Sequence, residues 1–233
     1  MKSLQLIPSV ALGIIFFSLN LAAADRESGF GKIPKPDELV SLDAVTLQTS
    51  TGKWFTVTVS FTPRKHPDPE KAFNEDFIDD VKLDLYICLR NDSREKKFKR
   101  ERKREGTDYV VADLYDYYHS SVEILTLKVD NIRKELHFLI SNELAERDGF
   151  NRTVKPVGHI VEMTLGGVPI AFKEGIVFEK YREESVLEKF KEFAQTKSKA
   201  NEGLLLPAHL VSASYLSDAP AVKIGPSASA SGL

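Results

Sequence analysis

The feature that most constrains the fold is a stretch of strict alternation at residues 81–89. Every second residue in this stretch is Val, Leu or Ile, and the residues between them are mostly polar or aromatic. In an extended chain, successive side chains point to opposite faces, so a period of two is typical of a β-strand. The pattern predicts a strand with one face in a core and the other face half polar.

Other segments with strand character recur at short spacing. Residues 39–47 and 54–61 are separated by a polar, Gly-containing turn and predict a hairpin. Asp130-Asn131 and Gly166-Gly167 are two-residue connections that tolerate positive φ, and each predicts a further hairpin. The remaining strand candidates are residues 108–113, 122–129, 133–140, 154–165, 168–172 and 176–181.

Two segments predict helices. Residues 182–203 carry an apolar stripe that includes Phe190 and Ala194 and end in Gly203, which is typical of an amphipathic helix. Asp68-Pro69-Glu70 has the residue types of a helix start and predicts a brief helix that buries Phe73. Residues 204–216 predict a possible last strand, and residues 217–233, rich in Ser and Ala, predict a disordered tail.

Many short strands without alternating helices favour an antiparallel arrangement. A parallel sheet would need crossover helices, which the pattern between residues 38 and 181 lacks. The sequence therefore predicts a mainly β fold, an antiparallel immunoglobulin-like β-sandwich at residues 38–181 followed by the C-terminal amphipathic helix. Trp54 and Cys88 match part of the immunoglobulin pattern, but there is no second cysteine for the bridge.

The first 24 residues have the pattern of a secretory signal peptide. Lys2 precedes an apolar run, and Ala22-Ala23-Ala24 supplies the small residues of a cleavage site. The apolar run is shorter than the roughly 20 residues of a membrane-spanning helix. We therefore expect cleavage after Ala24, an extended leader at residues 25–37, export to the periplasm or the extracellular space, and no transmembrane segment in the mature chain.

Charge and cysteine content narrow the function classes. The net charge of the 233-residue chain is −2, whereas a dedicated nucleic-acid-binding protein carries a basic excess, so no nucleic-acid partner is expected. Cys88 is the single cysteine, so no internal disulfide can stabilise the chain. Its place within an apolar strand predicts a buried, inert thiol.

The sharpest local anomaly is a basic cluster at residues 94–104. This stretch lies between two strand candidates and predicts a protruding hairpin tip or loop. Such a loop either binds an anionic partner or is a solvated, highly charged segment that resists aggregation. Residues 68–80 form an opposite, acidic patch, which can attract the basic cluster within one molecule or between neighbouring copies. The basic residues of the cluster are Arg94, Lys96, Lys97, Lys99, Arg100, Arg102, Lys103 and Arg104.

Residues 108–119 combine tyrosines with carboxylates. The pattern favours a Tyr-rich strand with half its rings in the core. Tyrosines beside carboxylates also stack on sugar rings and favour protein interfaces, so a carbohydrate-binding module is the alternative function. Asp113 and Asp116 are acids that a glycosidase would need at a suitable separation. The candidate ligand or interface residues are Tyr109, Tyr115, Tyr117 and Tyr118.

The sequence contains no recognisable catalytic signature. The five histidines are scattered without the i, i+4 spacing of a helical metal motif, and there is no Gly-x-Ser-x-Gly or phosphate-binding loop. We therefore predict that the protein is not an enzyme, with no catalytic, cofactor-binding or metal-binding residue and no cofactor. A hydrolase with an unrecognised site is the third alternative.

The signal peptide, the long alternating strand, the charged inter-strand segment and the late helix together resemble one group of proteins. These are the secreted immunoglobulin-like proteins encoded beside type IV pilus assembly genes in some bacteria. The resemblance covers residues 38–216 and has no residue-specific motif. It implies a non-catalytic interaction or structural protein of the cell envelope that is associated with a pilus. An envelope protein or a second copy is the expected partner, and an acidic polymer or glycan is the alternative.

Overall fold

Two antiparallel β-sheets dominate the computed structural model of the chain. The structure describes residues 36–49, 54–105, 114–148, 156–172, 174–179 and 181–211. The predicted signal peptide, the tail at residues 217–233 and the strand candidate at residues 108–113 lie outside these residues. Pro36 and Asp37 end the predicted extended leader, but they belong to the short helix α1.

The described residues contain nine strands and four α-helices. The strands are β1 (Val40–Thr49), β2 (Trp54–Pro63), β3 (Phe77–Arg90), β4 (Tyr115–Lys128), β5 (Lys134–Ser141), β6 (Gly158–Leu165), β7 (Val168–Ile170), β8 (Ile176–Phe178) and β9 (Leu206–Pro207). The helices are α1 (Pro36–Leu39), α2 (Asp92–Glu105), α3 (Asn142–Asp148) and α4 (Glu184–Lys197).

The first sheet has the strand order β1-β2-β5-β9, and the second has the order β4-β3-β6-β7, with β8 also paired to β6. Every strand pair is antiparallel. The hairpin of β1 and β2 and the hairpin of β6 and β7 are confirmed. Gly166 and Gly167 connect β6 to β7 with φ values of 54° and 80°, which glycine adopts without steric cost.

One hydrophobic core joins the inner faces of the two sheets. Val57 and Phe138 from the first sheet belong to the same cluster as Leu83, Leu85 and Met163 from the second. The predicted alternation of β3 is confirmed, because the aliphatic residues at its odd positions from 81 to 89 are at most 2% exposed. Burying one such side chain contributes roughly 1.5–3 kcal/mol.

A second, smaller core lies on the outer face of the second sheet. Cys88, Tyr117 and Ile160 pack there against Phe190 and Ala194 of α4. The predicted C-terminal helix is confirmed, since α4 is followed by a 3-10 turn at Ser198–Asn201 and then by Gly203 at a φ of 73°. Burial raises the pKa of the Cys88 thiol, which keeps it protonated.

Gly158 lets α4 approach the sheet closely. A Cβ at this position would lie 2.6 Å from the carbonyl oxygen of Val177 and 2.9 Å from Cζ of Phe190. Both distances are too short for a side chain, so the packing of α4 depends on glycine at the start of β6.

The Asp130-Asn131 connection does not form the predicted hairpin. β4 pairs with β3, and β5 pairs with β2, so this segment crosses from the second sheet to the first. The N–H of Asn131 donates to the carbonyl of Pro63 at the end of β2. The turn chemistry was recognised correctly, because Asn131 has a φ of 55°, but it does not specify which strands pair.

The brief helix predicted at residue 68 is also wrong, since residues 68–76 form turns. The Asp68 carboxylate accepts a hydrogen bond from Nζ of Lys71 at 2.7 Å, and Phe73 is fully exposed, with no face to bury. Of the last strand predicted at residues 204–216, only Leu206–Pro207 is a strand, and residues 212–216 lie outside the described part.

Candidate functional site: the basic helix and its anchor

The basic segment that was predicted to be a loop is the helix α2. Asn91 begins it as an N-cap, since its side-chain oxygen accepts a hydrogen bond from the N–H of Arg94 at 2.8 Å. Asp92 and Glu95 place negative charge in the first turn, where the helix dipole favours it. The residues that follow are almost all strong helix formers, and this signal was available in the sequence.

A buried carboxylate fixes the start of α2 to the second sheet. Asp116 on β4 is 5% exposed, and it accepts a hydrogen bond from Nδ2 of Asn91 at 2.6 Å and an ion pair from Nη2 of Arg94 at 2.7 Å. Burial raises the pKa of the Asp116 carboxyl, although the Asn91 hydrogen bond and the Arg94 charge oppose that rise. We call Asn91, Arg94 and Asp116 the anchor.

Glu95 provides a second attachment on the inner side of α2. It is 8% exposed, and its carboxylate forms ion pairs with Nη2 of Arg90 at 2.6 Å and with Nζ of Lys99 at 2.6 Å. Hydrogen bonds from Lys99 and then from Arg90 lower the pKa of Glu95. Two of the cations at this end of the sandwich are thereby used to stabilise the helix internally.

A second buried carboxylate lies near the anchor. Asp148, at the end of α3, accepts a hydrogen bond from the hydroxyl of Tyr118 at 2.8 Å and is paired with Arg147 at 2.7 Å. Burial, followed by the charge of Asp148, raises the pKa of the Tyr118 phenol, so the phenol remains a donor. Asp116 and Asp148 both have polar partners that hold them in place, which fits a structural role.

The outer side of α2 carries the unneutralised charge. Lys96, Lys97, Lys99 and Arg100 are exposed. Lys97 lies 3.9 Å from Glu101, whereas Lys96 and Arg100 form no ion pair with any residue that the structure describes. The backbone of Arg102, Lys103 and Arg104 is helical, and their side chains lie outside the described part of the chain.

The tyrosines proposed as a ligand surface are core residues. Tyr115, Tyr117 and Tyr118 are 8%, 2% and 0% exposed. Tyr115 donates its hydroxyl to Glu179 at 3.0 Å, and the Tyr117 ring lies 6.3 Å from that of Phe190. These three rings do not offer the open faces on which a sugar stacks, and Tyr109 lies outside the described residues.

A polar pair on the outer face of β3 and β4 was not predicted. Nε2 of His119 lies 3.1 Å from Oδ1 of Asp84, and the Tyr86 ring stacks on the imidazole at 4.3 Å. Partial burial alone would raise the pKa of Asp84, but hydrogen bonds from His119 and Lys82 lower it. The acid Asp113, paired with Asp116 in the hydrolase alternative, lies outside the described residues.

The described residues contain neither a metal-binding cluster nor a membrane-spanning helix. No cluster of three or more His, Cys, Asp or Glu side chains is placed to hold a metal ion in the ranges that the structure covers. None of the helices in those ranges combines the length and the apolar character needed to cross a membrane.

Comparison with known proteins adds little to this geometry. No protein-family model and no curated protein matches the chain. A crystal structure of a protein from Akkermansia muciniphila is similar over 62% of this chain and 70% of that chain, with 18% identity and a TM-score of 0.39. At that TM-score the similarity carries no argument about fold or function.

Proposed function

We propose that the chain is an exported, non-catalytic interaction protein of the bacterial cell envelope that binds an anionic partner through the outer side of α2. In this proposal the two sheets form an immunoglobulin-like sandwich that presents the helix. The resemblance noted from the sequence extends the proposal to a location near a type IV pilus. The preferred partner is an envelope protein or a second copy.

The observation that carries the proposal is the division of charge within α2. Phe98 is the single apolar residue among its 14 residues, so the hydrophobic effect gives this helix little reason to pack. It is instead held by Asn91, Arg94 and Glu95, which are directed at the sandwich, while Lys96 and Arg100 are exposed. A helix that is attached at its first turn and exposes cations without an ion pair to any described residue supports recognition of an anionic surface.

The carbohydrate-binding alternative loses support because Tyr115, Tyr117 and Tyr118 are buried. An acidic polysaccharide can still bind to α2 through charge alone. That possibility belongs to the same surface, so it needs no second site.

Retention on immobilised heparin tests the anionic-partner proposal. Although the net charge of the chain is −2, we expect it to be retained at low salt through its local basic surface. Lys96→Glu with Arg100→Glu should elute at clearly lower salt. Lys189→Glu with Lys199→Glu makes the same charge change at exposed positions elsewhere and should elute close to the unmodified protein. Equal elution of both variants would contradict the proposal.

Export is tested by producing the full-length sequence in a bacterial host. We expect the protein in the periplasm or the medium with an intact mass that lacks residues 1–24. A full-length mass in the cytoplasmic fraction would contradict the exported part of the proposal.

A further inference from the structure

We infer that the anionic partner of α2 is the acidic end of a second copy of this chain. The acidic end comprises residues 68–80, and this inference rests on the proposed function of α2. It requires that the two charged surfaces be unable to pair within one molecule and that each lack neutralising partners of its own.

The strand β3 separates the two surfaces. It extends for 14 residues from Phe77 to Arg90, with Asp80 at a φ of 52° near its start. The regular part from Val81 to Arg90 alone corresponds to about 30 Å in an extended strand. The acidic end lies before and at the start of β3, and α2 begins two residues after its last residue. The separation is several times the Debye length of about 10 Å at 0.1 M salt, so attraction within one chain is screened.

The helix cannot close this gap by folding back along the strand. From Asp92 to Arg100 an α-helix advances only about 12 Å. Moreover, the anchor and Glu95 hold its first turn against the strand ends that carry Tyr115 and Asp116. Of the two possibilities that the sequence left open, contact between separate copies is therefore the one that the geometry permits.

Each end exposes several side chains of one sign that have no ion pair with a described residue. At the α2 end, Asp116, Asp148 and Glu95 are paired, whereas Lys96 and Arg100 are left over among the described residues. At the acidic end, Lys71 neutralises Asp68. The exposed carboxylates there that have no ion pair with a described residue are Glu70, Glu75, Asp76, Asp79 and Asp80.

Exposed aromatic side chains accompany the acids. Phe73 is fully exposed and Phe77 is 38% exposed, and both lie between the carboxylates of the acidic end. Aromatic faces attract Lys and Arg head groups, and their apolar area packs against the alkyl stems of those residues. The acidic end thus offers both components that a lysine- and arginine-rich helix recognises, which favours α2 of another copy as its occupant.

A charge swap within one chain tests this contact. Light scattering at about 20 mM salt should show self-association of the protein purified after export, and association should weaken steeply as salt is raised. Lys96→Glu with Arg100→Glu should weaken it about tenfold or more, and so should Glu75→Lys with Asp76→Lys. Combining all four substitutions should restore association, because the complementary charges are exchanged between the two ends.

A matched control has the same net charge but the wrong location. Lys96→Glu and Arg100→Glu are combined with Glu188→Lys and Glu192→Lys on the exposed side of α4. This variant should stay dissociated. Circular dichroism and thermal unfolding establish that every variant is folded before masses are compared.

Three results would overturn the inference. They are a single-chain mass for the unmodified protein at low salt, no recovery in the charge-swapped chain, and equal recovery in the control. If the α2 variant loses heparin retention while the unmodified protein stays a single chain, this inference fails and the proposed anionic binding by α2 stands.

Discussion

The helices α2 and α4 have the same length, 14 residues, but are held to the second sheet by opposite means. α4 buries Phe190 and Ala194 in an apolar cluster against the second sheet. α2 buries the carboxylate of Glu95 and is tied to the buried Asp116 through Asn91 and Arg94. The comparison shows that an apolar stripe is one of two ways in which this fold positions a helix.

Because of this difference, the residues that stabilise the fold are separate from the exposed residues of α2 that are available for binding. Removing apolar contacts under α4 leaves a cavity, whereas changing the outer cations of α2 removes no buried contact. The outer side of α2 can therefore serve binding at little cost to folding. Four predictions test this contrast, starting with the largest expected effect.

Phe190→Ala should destabilise the chain by about 3 kcal/mol, since it leaves a cavity where the Phe190 ring contacts Gly158, Tyr117 and Phe178. Urea unfolding followed by circular dichroism measures the change. Phe193→Ala, at a half-buried position of the same helix, should cost less. A loss below about 1 kcal/mol for Phe190→Ala would show that α4 is not held by its apolar stripe.

Asp116→Ala should destabilise the chain by about 2 kcal/mol, because it removes the acceptor of the buried Asn91 amide and the carboxylate that pairs with Arg94. The same urea experiment measures it, with Asp79→Ala on the exposed end of β3 as the control. An effect equal to that of the control would mean that the anchor does not hold α2.

The pKa of the Glu95 carboxyl tests whether ion pairs hold α2, in contrast to the apolar packing that holds α4. Because Lys99 and Arg90 lower its pKa in the folded chain, the stability from these pairs is present above the ordinary value of 4.5 and is lost as the pH falls below it. An NMR titration of the Glu95 carboxyl should give a pKa below 4.5, returning toward it in Arg90→Ala. A pKa at or above the ordinary value would contradict the ion pairs.

Lys96→Glu with Arg100→Glu should change the free energy of unfolding by less than about 1 kcal/mol, because both side chains are exposed and have no ion pair with a described residue. Thermal unfolding beside the unmodified protein is sufficient to detect a larger change. If the two substitutions unfold the domain, the outer side of α2 is needed for stability, and it is then not a surface that serves binding alone.

Sequence reasoning was most successful where side chains of one kind repeat at a fixed period. The alternation at residues 81–89 predicted β3, and the stripe containing Phe190 predicted α4, because burial of one face is the direct cause of each pattern. Gly166-Gly167 predicted its hairpin for an equally local reason, namely positive φ.

The anchor could not be predicted from the sequence in the same way. Asn91 and Asp116 meet through the pairing of β3 with β4, and Asp148 comes from another part of the chain to accept a hydrogen bond from Tyr118. The helical state of residues 92–105, in contrast, was predictable from its N-cap and its helix-forming residues. High charge density is also typical of an exposed loop, so residues 94–104 were predicted to form one. The connection at Asp130-Asn131 joins two different sheets, and this was not predicted because turn-forming residues do not specify which strands pair.

The most direct test is amide hydrogen exchange along residues 92–105. An anchored helix predicts exchange at least about tenfold slower than in an unstructured chain. It also predicts that Asp116→Ala abolishes this protection while the amides of α4 stay protected. Exchange at unstructured rates in the unmodified protein would contradict the account, because the cations would then lie on a loose segment and not on a fixed helix.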